Sequence, residues 1–585
     1  MPHVESQSTI DKDARGGVQV RTLDYTTGLG LVSERKIRIK LAIKSLGSRE
    51  AWFGEYDYAS LFIPNVPFLV KKRELPFYGV NDKLPYMLMT ILGLQHALAM
   101  VGGLITPPLL LAGPAGANLG SEAQQYLVSA SLIWCALGTT VQISRFRLFK
   151  TKYYLGTGLI SVTGTSFAFT NVALAYLSQS YSNGTCPISA DGKTRLPCPD
   201  EFGAILGTAT LTGIYAIALA FVPPKTIRKL FPPLITGTML LFIGAALVQS
   251  GITNWAGGSG SCTTDHTIKC SGPNPQYWGS GSYLGLGFSS FIVIVLLEIF
   301  GSAFMKSSSV FMGLIVGFVI AAATGYFNGA VISSAPVGTF LWLSTWRLSI
   351  RGQLVLPMVA SWTVMVCETI GNVTASSDVS HLEIAGETFM QRVQGGVLAD
   401  AISATIAGLA TVPPLTTFSQ NAGVIALTRN ASRSSGYVCA FILFLMGIFG
   451  KFGAVFVAAP PSTIGGFTTF LFGSVAVSGI RVLAYAKWTR RDRFIATASF
   501  ALGLAALCVP NWFSFIFTYE GNNPGLLGFF QAVVLIVEEP YLIAAVVGVF
   551  LNATLPNATP DDRPEGEAEG TVWNEPATVL PPLQS

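Results

Sequence analysis

From about Tyr86 to about Leu551, long apolar runs alternate with short polar connections. A helix needs roughly 20 apolar residues to cross about 30 Å of hydrocarbon, and about fourteen runs reach that length. The pattern predicts spans over 86–106, 123–143, 155–177, 203–222, 233–251, 286–304, 308–326, 354–377, 394–411, 412–428, 436–458, 463–484, 494–511 and 530–552. Most read as plain helices. The third and tenth do not: Gly156, Gly158 and Gly164 interrupt one, and Pro413, Pro414 and Gly423 the other, each with polar residues at its middle. They hold equivalent places in two sets of seven, as expected of an inverted repeat whose broken helices face a ligand near the midplane. Close helix packing is the commoner use of glycine in membrane helices, so the glycines alone leave both readings open.

Half of the 585 residues are apolar and 11% are charged. That balance predicts an all-α polytopic membrane protein. The charges avoid the apolar runs. Basic residues gather in short connections: Arg145, Arg147, Lys150 and Lys152, then Lys225, Arg228 and Lys229, then Arg481, Lys487, Arg490, Arg491 and Arg493. Excess Lys and Arg mark cytoplasmic loops, and fourteen spans then place both termini in the cytoplasm as well. The basic stretches are accounted for as topology signals, which argues against nucleic acid as a partner. No cleavable leader is visible in the first 80 or so residues, which are polar and mixed in charge. The expected organisation is an N-terminal cytoplasmic region over 1–80, a membrane domain over 81–552 and a disordered acidic tail over 553–585 carrying Asp561, Asp562, Glu565, Glu567 and Glu569.

Cysteine supports the orientation. Cys186 and Cys198 share one polar loop and Cys262 and Cys270 another, and both loops fall outside, where disulfides Cys186–Cys198 and Cys262–Cys270 can persist. Cys135, Cys367, Cys439 and Cys508 lie in apolar spans and read as small packing residues. Asn183 opens a glycosylation sequon in an outside loop, whereas those at Asn552 and Asn557 fall on the cytoplasmic side.

Polar and ionisable groups deep in an apolar span are costly, about 2.5 to 3.5 kcal/mol for a charge on insertion scales, and mark a pathway or site by default. Gln95-His96 lies midway along the first span. Glu368 lies in the eighth, followed by Thr369, Gly371 and Asn372, and Asp400 lies in the ninth. Ser419, Gln420 and Asn421 lie in the interrupted tenth. Glu368 and Asn372 are four residues apart, so they share a helix face that cannot point at lipid. A carboxylate accepts only, while a carboxamide donates and accepts. The set therefore suits a planar ligand with adjacent N–H and C=O groups, as on a purine or pyrimidine edge. Phe167 in the third span can stack on such a ring. The bland readings are a hydrogen-bonded structural role for His96 and Asp400, and core packing for Phe167.

The run Ser419-Gln420-Asn421-Ala422-Gly423-Val424-Ile425-Ala426-Leu427-Thr428-Arg429 resembles the signature of the nucleobase-ascorbate transporter family, Gln/Glu-Asn-x-Gly-x4-Thr-Arg. Gln95-His96 and Glu368-Thr369-Ile370-Gly371 stand in the family's order, so the resemblance covers about residues 75 to 552. Gln420 and its lead-in Thr416-Thr417-Phe418 resemble the fungal uric acid–xanthine permease branch.

The resemblance implies a seven-plus-seven inverted repeat, with a core domain of spans 1–4 and 8–11 and a gate domain of spans 5–7 and 12–14. It also implies a homodimer in the plasma membrane and elevator-like symport of xanthine and uric acid with protons, with no further cofactor and no metal. Carried over by position, Glu368 and Gln420 bond the purine, Phe167 flanks it and Asn421 shapes the site. Asp400 supports proton coupling, Gln95 and His96 orient the site, and Thr428 and Arg429 close the motif. Two departures stand out: Asn372 where the branch commonly has Asp, and Ser419 beside Gln420 where its nearest members have Ala. A membrane-embedded enzyme is disfavoured, because no HExxH, GxSxG or cysteine-ligand spacing is present. A receptor that binds without transporting would use the same residues.

Overall fold

The computed structural model describes residues 48–64, 76–190, 194–263, 265–486, 488–517 and 523–556, with a strand pair at 11–12 and 18–19. Most of the expected 1–80 region, Lys487, Asn557 and the acidic tail lie outside the described residues. The residues group into a small unit, Met1–Tyr56 with Pro85–Leu88, and a large unit, Asp57–Leu84 with Met89–Ser585. In the small unit the Ser48 side chain caps the short helix Arg49–Phe53 by accepting from the Ala51 amide. Residues 57–64 and 76–84 group with the large unit.

The apolar runs fold as helices α1 (Tyr86–Ala112), α2 (Ser121–Ile143), α3 (Phe167–Ser182), α4 (Pro199–Leu219), α5 (Pro233–Trp255), α6 (Gly281–Phe300) and α7 (Ser309–Ala323). The second half supplies α8 (Gly352–Val379), α9 (Gly386–Leu409), α10 (Gln420–Thr428), α11 (Arg433–Ile448), α12 (Gly450–Ala458), α13 (Pro461–Leu483), α14 (Arg490–Cys508), α15 (Pro524–Glu538) and α16 (Pro540–Thr554). Proline opens α4, α5, α13, α15 and α16, where its missing N–H costs nothing. Thr489 and Asp492 form a reciprocal capping box at the start of α14. Among the described residues, seven helices are long and apolar enough to cross a membrane, and the pair α15 and α16 makes an eighth if taken as one span. Large apolar side chains such as Ile214, Val319, Phe441 and Val477 point outward, as hydrocarbon requires. The chain is a multi-pass helical membrane protein.

The expected spans need correction in four places. α1 runs past 106 through Pro107 and Pro108 to Ala112. The eleventh span breaks at Phe449 into α11 and α12. The last span is not a plain helix over 530–552, because α15 and α16 meet at Glu539 with a bend of 90°, as expected where proline cannot continue the hydrogen-bond ladder. Cys508 is exposed, whereas Cys135, Cys367 and Cys439 are buried as expected.

Glycine serves both of its possible uses. On α5 and α13 it allows backbones to touch: a Cβ on Gly244 would sit 2.3 Å from the Ala476 amide nitrogen, and one on Gly479 2.3 Å from that of Leu241. In the third span Gly156 and Gly158 have φ of +86° and +74°, which ends helical continuity there. The chain then runs extended as β1 (Thr163–Thr165) and pairs antiparallel with β2 (Leu415–Thr417) of the tenth span. Thr163 faces Thr417 and Thr165 faces Leu415, so backbone groups freed by both breaks satisfy each other inside the apolar layer. The disulfides Cys186–Cys198 and Cys262–Cys270 close two loops. Cys198 caps the start of α4, and Lys225, Arg228 and Lys229 follow its other end.

Candidate functional site

The two broken spans bring two helix N-termini together. α3 starts at Phe167 and α10 at Gln420, each directly after the paired strands. The positive ends of both helix dipoles therefore face the same region, a ready site for electronegative ligand atoms. Ser166 N bonds Pro414 O at 2.9 Å and Phe418 N bonds Val162 O at 3.0 Å, extending the pairing on both sides.

Glu368 stands on α8 beside this junction and is half-buried. Among the described residues its one side-chain bond is a long one, 3.4 Å from Thr416 Oγ1. One turn later, Asn372 Nδ2 donates to Thr417 O at 2.5 Å. Gly371 on α8 and Gly423 on α10 are exposed, and a Cβ on either would meet nothing within 4 Å. The faces that carry Glu368 and Gln420 thus border open space.

Asp400 is fully buried on α9, and donors of three residues reach its carboxylate. Gln142 Nε2 reaches Oδ1 at 2.7 Å, Thr369 Oγ1 reaches Oδ2 at 2.7 Å, and Thr417 gives its amide at 3.1 Å and its hydroxyl at 2.7 Å. One carboxylate thereby joins α2, α8, α9 and β2. His96 is fully buried, with Nδ1 2.9 Å from Asn421 Oδ1, and Asn421 Nδ2 donates to Ile160 O. Among the described residues, both amide atoms of buried Gln95 and Nε2 of His96 have no partner. Such orphaned groups are rare in folded proteins and call for a ligand or ordered water.

Phe167 stacks parallel on Phe418 with centroids 5.9 Å apart and meets the Phe472 ring edge-on at 5.7 Å. Phe418 lies over Gly164, where a Cβ would come within 2.3 Å of its ring. Thr428 and Arg429 do not join the site. Thr428 bonds its own helix at Val424 O, and Arg429 ends α10 in the left-handed region at φ +53°. Ser419 is the N-cap residue of α10 and makes no side-chain cap bond.

Sequence reasoning missed Gln142, Thr369 and Thr417 as partners of Asp400. It also missed Tyr541, whose hydroxyl lies 3.0 Å from Ala168 O and 2.9 Å from Ser361 Oγ, bringing the last span to the residue after Phe167. Uncharged hydroxyls in a membrane helix give no warning, since threonine commonly bonds its own backbone. Among the described residues, no three His, Cys, Asp or Glu side chains converge as a metal site. Asn552 is held by Arg491 and donates to Lys229 O and Leu230 O, so this sequon's amide is engaged. Asn183 is exposed and accepts from Thr185.

Two broken spans whose helices start directly after one shared strand pair, with a carboxylate bonded to that pair, are the arrangement expected of a membrane carrier. The family model described as a permease family (Xan_ur_permease) matches residues 88–512. A purine permease of Emericella nidulans is 48% identical over 538 residues, covering 91% of this chain and 93% of its own. A uric acid-xanthine permease of the same organism is 49% identical over 522 residues, covering 89% and 90%. The transmembrane domain of a cyanobacterium bicarbonate transporter, BicA, aligns at TM-score 0.47 with 12% identity, covering 80% of this chain and 99% of that one. The chain belongs to this permease family, the nucleobase-ascorbate transporters, and is a transporter and not an enzyme.

Proposed function

We propose that the protein takes up oxopurines, xanthine and uric acid, together with protons across the plasma membrane. The observation that carries this reading is that Glu368 meets the paired strands through one long bond to Thr416, while the helices opening at Phe167 and Gln420 both begin directly after those strands. A purine edge offers N–H to Glu368 and both N–H and C=O to Gln420, while its face meets Phe167. The names of the fungal relatives, purine permease and uric acid-xanthine permease, support the same class. Glu368 is the better proton carrier of the two carboxylates, because Asp400 is already engaged by donors on both oxygens. Asp400 then supports coupling by holding α8 against β2, and Gln95, His96 and Asn421 shape the cavity. Ser419 and Asn372 tune the choice among purines.

The finer architecture is part of the proposal: fourteen spans in a seven-plus-seven inverted repeat within 81–552, a core of spans 1–4 and 8–11 sliding against a gate of spans 5–7 and 12–14, and a homodimer with both termini cytoplasmic. The test is labelled xanthine uptake in yeast lacking its own purine carriers, at external pH 5 and 8, with and without a protonophore. Accumulation at pH 5 that collapses with the protonophore and is competed by uric acid supports the reading. Saturable xanthine binding without accumulation, from protein at the cell surface, would make it a receptor instead.

A further inference from the structure

The chain just before the first span is bonded into the elements that carry the site. Tyr78 N donates to Arg429 O at 2.9 Å, Ala431 N donates to Tyr78 O at 2.8 Å, and Arg433 N donates to Val80 O at 3.1 Å. These bonds lay Tyr78 parallel to Asn430, two residues past the end of α10. Ser432 Oγ adds a bond to Asp82 O at 2.7 Å, and Gly79 N donates to the Asp82 carboxylate at 2.7 Å, fixing the turn. The Phe77 ring meets the His381 ring edge-on at 4.4 Å, just beyond the end of α8. Phe77 and Val80 pack against the buried cluster of Ile160, Ile425 and Ala431, which Val379 also joins from α8.

The cluster reaches the elements of the site at three points. Ile425 lies one turn after Asn421 on α10, Val379 lies about three turns after Glu368 on α8, and the Ile160 carbonyl receives the Asn421 amide. The final carbonyls of a helix lack intrahelical partners, and here Arg429 O is satisfied by Tyr78. α10 has nine residues and so measures about 13 Å at 1.5 Å per residue, which makes its direction depend on how its far end is held. A tilt of about 5° there displaces Gln420 by about 1 Å.

We propose that residues 77–80 form a clasp that sets the position of Gln420 relative to Glu368, with Phe77 as a positioning residue for purine binding. The clasp stays closed throughout transport. This rests on the purine-uptake reading above.

The test compares wild type, Phe77→Ala and Phe77→Leu for xanthine uptake, with surface abundance measured in parallel. The clasp predicts a KM about tenfold higher for Phe77→Ala, a maximal rate per surface molecule within about twofold of wild type, and recovery of KM in Phe77→Leu. An unchanged KM in Phe77→Ala would overturn it. Should Phe77→Ala not reach the surface, a Tyr78→Cys, Asn430→Cys pair in a Cys508→Ser background decides. Uptake that survives oxidative cross-linking with the same KM supports a closed clasp, and uptake abolished by oxidation and restored by reductant contradicts it. If wild type takes up no xanthine, the substrate reading fails and the clasp is read from hydrogen exchange of 420–428 in purified protein. Faster exchange in Phe77→Ala supports the clasp, and equal exchange refutes it.

Discussion

Glu368 and Asp400 are carboxylates on adjoining helices within the same apolar layer, and their surroundings treat them oppositely. Asp400 is fully buried and receives Gln142, Thr369 and both donors of Thr417. Glu368 is half-buried beside open space, with one hydroxyl at 3.4 Å. An ionised carboxylate has about four acceptor sites, so one residue has spent its capacity on the protein while the other keeps it. Burial of a polar group is tolerated where partners offset desolvation, and an under-partnered one signals a ligand. Cost alone, the argument available from sequence, does not separate scaffold from site.

The comparison can be broken most severely at Asp400. Asp400→Ala strands the buried amide and hydroxyl of Thr417 at about 1–3 kcal/mol each and leaves Gln142 and Thr369 with their backbone acceptors Gly396 O and Met365 O, and is expected to prevent surface expression and lower the thermal midpoint of purified protein by many degrees. Glu368→Gln keeps the shape and removes the charge. It is expected to reach the surface with a near-wild-type thermal midpoint and to lose at least about tenfold in xanthine accumulation. Phe167→Ala removes a stacking face worth about 0.5–1.5 kcal/mol, raising KM by up to about tenfold with stability changed less than in Asp400→Ala. Thr416→Val deletes the 3.4 Å contact to Glu368, and a change in KM below about fivefold is expected, as for a long bond worth at most about 1 kcal/mol.

Much of this fold is legible in the chain because hydrocarbon imposes a simple rule on helix length. The breaks in the third and tenth spans are legible too, since Pro413 and Pro414 cannot continue a helix and polar residues stand at the middle of both spans, whereas Gly156 and Gly158 alone would serve packing as well. Their antiparallel pairing is not, because it joins residues some 250 positions apart and depends on two breaks meeting at the same depth. The 90° bend at Glu539 escaped notice although Pro540 was in view, since an apolar run around a single proline still reads as a span. In the site, Glu368, Gln420, Asn421 and His96 were found from their polarity, and the structure brings His96 onto Asn421. Tyr541 is not legible, and Phe418 is legible only as part of the family lead-in, because one aromatic residue among many carries no signal until its neighbours are known.

The most direct measurement is labelled xanthine accumulation by surface-expressed wild type, Glu368→Gln and Asp400→Asn at external pH 5 and 8, with and without a protonophore. The account predicts that Glu368→Gln is folded and present yet shows no accumulation that depends on the proton gradient, while whatever fraction of Asp400→Asn reaches the surface retains that dependence. Full pH-dependent, protonophore-sensitive accumulation by Glu368→Gln would contradict it.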